Sequence, residues 1–218
     1  MGLGTADNSG ETDRLLQSAA KGSSESWGAL VDRHGERLRR MVAFRLDHRL
    51  HRRVDPSDVI QETYLEAWKH LADYMRQPRM PFFLWLRSIA GHKLQELHRR
   101  HLGTQMRAAG REVPIHRGTL PATTSAALAA QLLGHLTRPS EAAIRAEIKV
   151  RLQDAINSLD PIDREVLALR HFEHLSPTET AQVLGLKEKA AGMRYVRALR
   201  HLKEILAAFP GGLTEFRP

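Results

Sequence analysis

The chain has 218 residues, with 33 Lys and Arg against 25 Asp and Glu, a formal net charge of +8 and no cysteine. That length holds one large domain or two small ones, and a hydrophobic fraction of 42% can build cores, which excludes a disordered polyelectrolyte. The lack of cysteine excludes a disulfide-stapled secreted fold, a Cys-ligated zinc site and a cysteine nucleophile. No apolar run reaches the roughly 18 residues of a membrane span, and residues 1–10 carry no signal-peptide pattern.

Helical periodicity dominates from the start of the chain. Trp27, Leu30, Val31, Leu38, Met41, Val42 and Leu46 fit one or two helices. Asp55-Pro56-Ser57 then supplies helix-start signals, an Asp cap with Pro just inside. The helix predicted over 58–71 has Val59, Ile60, Thr63, Tyr64, Ala67, Trp68 and Leu71 as its inward stripe. Residues 82–101 form a further helix, with Phe82, Leu86, Ile89, Ala90, Leu94 and Leu97 inward. These helices make residues 12–102 one all-helical domain.

Residues 103–140 are rich in Gly, Pro, Thr, Ser and Ala and read as a flexible linker, with a short helix possible over 126–136. Ser140 caps the next helix, spaced by Ile144, Ile148, Leu152, Ile156 and Leu159, and Asp160-Pro161 caps another containing Ile162, Val166 and Leu169. Residues 141–208 are thus expected to form a second domain. Ser176-Pro177-Thr178-Glu179 matches a capping box, and Gly185 stands where a left-handed turn residue belongs. Leu186 re-enters the core, and a longer basic helix runs from about 188 to 206. Ala181 is small enough for two helices to cross closely.

This pattern fits a helix-turn-helix (winged-helix-like) module whose second helix enters the major groove. Lys189, Met193, Arg197 and Arg200 fall near one face with Arg194 beside them, while Ala191, Tyr195, Leu199 and Leu202 look inward. An ordinary helical hairpin shares the Ala-to-Gly spacing; the basic second helix is what favours DNA. Gly192 weakens that helix by about 1 kcal/mol, and either allows close approach to a groove or is simply tolerated.

Charge is ordered along the chain. Residues 54–73 carry one cation and five carboxylates, and residues 74–102 six cations and one carboxylate. Residues 148–180 carry four cations and six carboxylates, and residues 187–203 six cations and one carboxylate. Two modules, each with a protein-facing and a DNA-facing part, give this order; so do ordinary solvated helix faces. Near the first reversal, Tyr74, Phe82, Phe83 and Trp85 are interleaved with Arg76, Arg79 and Arg87, a mixture suited to stacking unpaired bases and holding phosphates. Phe82 and Trp85 are assigned to the core, and Tyr74 to an exposed loop.

Residues 55–68, DPSDVIQETYLEAW, resemble the acidic polymerase-binding helix of the sigma-70 family of bacterial RNA polymerase initiation factors, in its two-domain extracytoplasmic-function branch. Residues 83–90, FLWLRSIA, resemble the family's W-L-x-x-I-A segment, and Arg99-Arg100 its closing basic pair. Residues 156–186 are similar to the L-P-x-x-x-R-E-V opening of its second domain. The resemblance implies that Asp58, Gln61, Glu62, Glu66 and Trp68 dock on the polymerase clamp coiled coil. It implies that the loop over residues 70–80 captures a flipped base of the minus-ten element, with Tyr74, Arg76 and Arg79 in it. The following helix, with Arg87, Ser88, His92, Lys93, Arg99 and Arg100, lies along that element. Lys187, Lys189, Arg194, Arg197 and Arg200 then read the minus-thirty-five element. Two departures stand out. His92 replaces a frequent Asn, and Ala190-Ala191-Gly192 replaces T-V-K, which shifts expected readout toward Arg194 and Arg197.

Three His-x-x-His pairs occur, His48/His51, His98/His101 and His171/His174. Helical spacing suits metal ligation, but arginines crowd the first two pairs and no carboxylate completes a site, so no metal and no cofactor are expected. No catalytic constellation stands out, so no enzymatic activity is expected. The expected partners are core RNA polymerase and promoter DNA, with an anti-sigma factor as a further candidate, for a cytoplasmic chain that is monomeric when free. A helix-turn-helix regulator that never touches polymerase is the alternative, though it leaves the acidic helix unexplained. A metal-dependent nucleic-acid enzyme using the His pairs is a third.

Overall fold

The computed structural model describes residues 6–47, 49–50, 53–102, 128–129 and 142–207. The chain divides into two compact units, residues 1–113 and 114–218. The described residues are helical, with no strand among them.

The first unit packs four helices: α1 (Ala6–Ala20), α2 (Ser24–Arg45), α3 (Pro56–Arg76) and α4 (Phe82–Leu102). Three of the boundaries have a clear local cause. Ser23 accepts from the Ser26 amide to start α2, and Asp55 accepts from the Ser57 amide to start α3 with Pro56 in its first turn. α3 ends at Gln77, which precedes Pro78 and leaves the helical region, as pre-proline residues do. Leu30, Leu38, Met41, Leu86 and Leu94 are completely buried where α2, α3 and α4 meet. Each such leucine contributes on the order of 2 kcal/mol relative to exposure. Two polar ties fix the packing: Tyr64 Oη donates to the Val31 carbonyl (3.1 Å), and Arg33 bridges to Glu11 and Thr12 of α1.

The predicted inward stripe of α3 is observed at Val59, Ile60, Thr63, Tyr64, Ala67 and Leu71. Trp68 departs from it, 39% exposed. Tyr74 departs in the opposite sense. It lies inside α3, not in a loop, because the helix continues until Pro78 makes it stop; the loop is confined to residues 77–81.

The second unit contains α5 (Ala142–Ser158), α6 (Pro161–Leu167), α7 (Pro177–Leu184) and α8 (Glu188–Ala207). Leu128, Leu152, Ile156, Leu169, Leu175 and Leu202 are its fully buried large side chains among the described residues. Asp160 caps α6 by accepting from the Ile162 amide. α6 leads into a π-helical turn, Ala168–Phe172, which the sequence periodicity did not reveal. His174 follows with φ +52°, and the Arg170 guanidinium donates to the Leu175 carbonyl, reversing the chain toward α7. The linker expected over 103–140 and the cap at Ser140 lie outside the described residues, apart from helical Leu128 and Ala129.

Candidate functional site

α3 and α2 enclose a groove of about 840 Å³ on the first unit, floored by Trp27, Val31, Ile60 and Tyr64. Gln61, Leu65 and Trp68 rise from α3 at its edge. Trp68 leans on Trp27 with ring centroids 5.1 Å apart, so it is held in place while still 39% exposed. Leu65 beside it is 58% exposed. Apolar side chains held this far out of the core mark a surface made to be covered.

Asp32 and Glu36 of α2 line the groove together with Arg39, and further carboxylates lie along α3. Asp58, Gln61 and Glu62 are exposed, and Glu62 pairs with Lys93 Nζ of α4 at 3.6 Å. Partial desolvation pushes the Glu66 carboxyl up, but Lys69, a hydrogen bond from His70 and the charge of Lys93 outweigh it and hold it below its ordinary range. The helix thus presents fixed negative charge beside exposed apolar surface, a combination suited to a basic protein partner.

A second groove, of about 430 Å³, opens at the far end of α3, among His70, Asp73, Tyr74, Gln77, Arg79, Met80 and Trp85. Tyr74 stacks on Trp85 with centroids 4.5 Å apart and planes 21° from parallel, and its hydroxyl donates to the Met80 carbonyl (2.9 Å). Burial, with the nearby charge of Asp13, pushes the Tyr74 phenol up to about 12, so it stays a neutral donor at physiological pH. Arg76 pairs with Asp73 (3.0 Å) and Arg79 donates to the Gln77 side chain (3.2 Å). Both guanidiniums are exposed, and Arg79 lines the groove. A groove lined by stacked rings and an exposed arginine suits a planar base with its phosphate.

On the second unit, α7 and α8 are joined by a tight turn. Ser176 accepts from the Glu179 amide while the Glu179 carboxylate accepts from the Ser176 amide, which completes the predicted capping box. Gly185 adopts φ +64° and ψ +31°, the left-handed geometry an L side chain resists. Thr178 Oγ1 donates to Glu188 (2.8 Å), tying α7 to the start of α8. Ala191, Ala198 and Leu202 are buried, whereas Tyr195 and Leu199 are only half-buried. Lys187, Lys189 and Arg200 are exposed. Arg194 and Arg197, by contrast, both lie on the carboxylate of Asp163, a side chain only 4% exposed.

The Sigma-70 region 2 family model matches residues 30–103, and the Sigma-70, region 4 model matches residues 149–202. The RNA polymerase sigma factor CnrH of Cupriavidus metallidurans is 31% identical over 204 residues, spanning 92% of this chain and 97% of CnrH. The chain belongs to the sigma-70 family of RNA polymerase sigma factors, in its extracytoplasmic-function branch. As a sigma factor it directs promoter recognition and transcription initiation. The ECF RNA polymerase sigma factor SigD of Mycobacterium tuberculosis is 35% identical over 156 residues, 71% of this chain and 65% of SigD. The structure of CnrH in complex with the cytosolic domain of CnrY aligns over 92% of this chain and 99% of CnrH, with 27% identity and a TM-score of 0.52.

Of the sigma factor's anticipated α3 residues, Gln61 and Trp68 line the first groove, whereas Asp58, Glu62 and Glu66 lie elsewhere on the same helix, Glu62 on the side of Lys93. Tyr74 and Arg79 meet at the second groove, whereas Arg76, two residues on from Tyr74, is not in its lining. His92, Arg99 and Arg100 are exposed along α4, and Arg100 pairs with Glu96 (3.5 Å). Ser88 instead donates to the Trp85 carbonyl (2.7 Å), and Arg87 is buried, 5% exposed. Sequence reasoning missed Trp27 and Leu65, which complete the first groove, and Asp163. For Leu65 a signal existed: it is a large apolar residue off the inward stripe of α3.

Among the described residues no group of three metal-ligating side chains converges. His98 Nε2 accepts from the Asp47 amide (3.2 Å), which uses the ring for packing α4 against the end of α2. His48 and His51 lie outside the described residues. No described helix is long and apolar enough to cross a membrane.

Proposed function

We propose that this chain is the promoter-reading subunit of RNA polymerase, working through three surfaces. Asp58, Gln61, Glu62, Glu66 and Trp68, joined by Leu65 and Trp27, take the polymerase clamp. The groove at Tyr74, Arg79 and Trp85 takes an unpaired base of the minus-ten element, while Arg76, His92, Lys93, Arg99 and Arg100 follow its backbone. Lys189 and Arg200 of α8, with Lys187 in the turn before it, hold the minus-thirty-five duplex. Residues 12–102 and 141–208 serve as the two binding domains, with residues 103–140 connecting them. The protein acts in the cytoplasm, as a monomer until it meets polymerase, and melts DNA by spending binding free energy on unpaired bases, with no covalent chemistry.

The observation that supports this reading most is the pair of aromatic grooves on one helix. The first is lined by exposed Leu65 and Trp68 with Asp32 and Glu36, the second by the stacked Tyr74 and Trp85 with Arg79, so α3 borders two surfaces suited to different partners. A protein inhibitor is part of the proposal: CnrH has been seen with the cytosolic domain of CnrY, and an anti-sigma factor is expected to occupy this chain likewise.

The test is reconstitution of purified chain with core polymerase on genomic DNA fragments. Specific initiation that core alone does not give is expected. Duplex binding without polymerase association would instead favour a free-standing helix-turn-helix regulator.

A further inference from the structure

The outward stripe of α8 is apolar at its centre. Residues 189, 193, 196 and 200 recur at intervals of four, three and four, which places Lys189, Met193, Val196 and Arg200 within about 60° of one another around the helix. Buried Ala191, Ala198 and Leu202 occupy the opposite side. Met193 is 66% exposed and Val196 54%. Arg194 and Arg197 fall on the flank between these two sides, where Asp163 holds both. Gly192, adjoining the stripe, has open space where a Cβ would stand.

The geometry points to Met193 and Val196 as the residues that read sequence, by contact with thymine methyl groups in the major groove of the upstream promoter element. This rests on the proposed placement of α8 on duplex DNA and goes beyond it by naming the chemical group recognised. Lys189 and Arg200 lie about 16 Å apart along the helix axis, enough to bracket a major groove about 12 Å wide and meet phosphates on both walls. Between them the stripe offers no hydrogen-bonding side chain. The C5-methyl of thymine is the one feature of the major-groove edge that an apolar side chain recognises. The arginines that otherwise read guanine are committed to an internal carboxylate. Gly192 lets the helix backbone approach the bases closely.

The experiment uses the full chain assembled with core polymerase. Duplexes are selected from a random-sequence library, and the selected site is resynthesised with deoxyuridine for thymidine in its upstream element, a change that removes only methyl groups. The thymidine form should bind about three- to fivefold tighter per contacted methyl. Met193→Ala and Val196→Ala, on an exposed helix face that alanine suits, should each shrink that ratio toward one. Lys189→Ala should weaken both forms equally. Equal binding of the two forms by the unaltered chain would overturn the proposal. So would an upstream element with no thymine on either strand, or a thymidine preference unchanged in both alanine variants, which would leave the stripe to a protein partner. Failure to select any sequence, or to initiate from one, would instead strike the sigma-factor placement of α8 itself and the inference with it.

Discussion

Arg197 grips the buried carboxylate of Asp163 with two prongs, its Nε 2.8 Å from Oδ2 and its Nη2 2.9 Å from Oδ1. Arg194 adds a third contact at 2.6 Å. One carboxylate on α6 therefore satisfies two cations of α8, and α8 is oriented by an ion-pair cluster as well as by Ala198 and Leu202. Asp163→Ala should destabilise the second unit by about 2 kcal/mol. That is below the range for fully buried pairs, because the Arg197 side chain, 61% exposed, can rehydrate. Hydrogen exchange of the α8 amides would read the loss. The two released guanidiniums should tighten non-specific duplex binding and steepen its salt dependence by about one to two phosphate contacts. Weaker duplex binding would show that Asp163 aims the arginines at DNA rather than withholding them.

Glu62→Lys reverses charge at an exposed position whose partner, Lys93, is half-buried. Affinity for core polymerase should fall by about tenfold or more, while helical content by far-UV circular dichroism stays the same. Duplex binding through α8 should be untouched. Equal loss of both activities would refute the division between an α3 protein surface and an α8 DNA surface.

Tyr74 separates stacking from hydrogen bonding. Tyr74→Phe keeps the ring on Trp85 and loses only the bond to the Met80 carbonyl, at a stability cost of about 1 kcal/mol. Tyr74→Ala removes the stacking wall, and initiation from duplex promoters should drop by roughly five- to a hundredfold. Single-round transcription on a template already unpaired over the minus-ten element should recover most of that loss if the groove serves melting.

His98 gives the first unit a pH dependence. Its Nε2 accepts from the Asp47 amide and so must be unprotonated, and burial, aided by the positive Arg49, lowers its pKa despite the opposing pull of Asp47. The folded pKa lies below the unfolded one, so the unfolded chain binds the proton more readily. The contribution is complete above the unfolded value near 6.5 and is lost as pH falls from there toward the folded value. Urea midpoints at pH 7.5 and 5.5 should differ more for the natural chain than for His98→Gln.

Gly192→Ala fills open space in a helix interior and should raise the stability of α8 by about 1 kcal/mol, read again by hydrogen exchange. Reduced promoter binding in the same variant would mark the glycine as a point of close approach to DNA.

What the sequence disclosed and what it withheld divide by range. The caps at Asp55, Asp160 and Ser176 and the left-handed turn at Gly185 are set by residues within four positions of one another, and each is observed as expected. The inward stripe of α3 was legible because burial imposes one period on it. The end of α3 was misjudged, although Pro78 carried the information: it forces Gln77, not Tyr74, out of the helix. Arg87 was read as a phosphate ligand from its neighbours, but its position on α4 turns it into the core. Asp163 could not have been found, because its partners lie 31 and 34 residues away and pairing at that distance depends on how α6 and α8 cross. Trp68 belongs to both cases: its spacing placed it on the apolar stripe, and only the neighbouring Trp27 decides that it remains at the surface.

The chain's three tryptophans are Trp27, Trp68 and Trp85. The first two line the groove between α2 and α3, and the third lines the groove beyond Tyr74. The second unit has none. Intrinsic indole emission is therefore a built-in reporter confined to one half of the protein, silent about everything α8 does. With Trp85→Phe it would follow occupation of the first groove alone, and with Trp27 and Trp68 both replaced it would follow only the second. The order in which the two surfaces of α3 are engaged could then be timed in a stopped-flow instrument without attaching a dye.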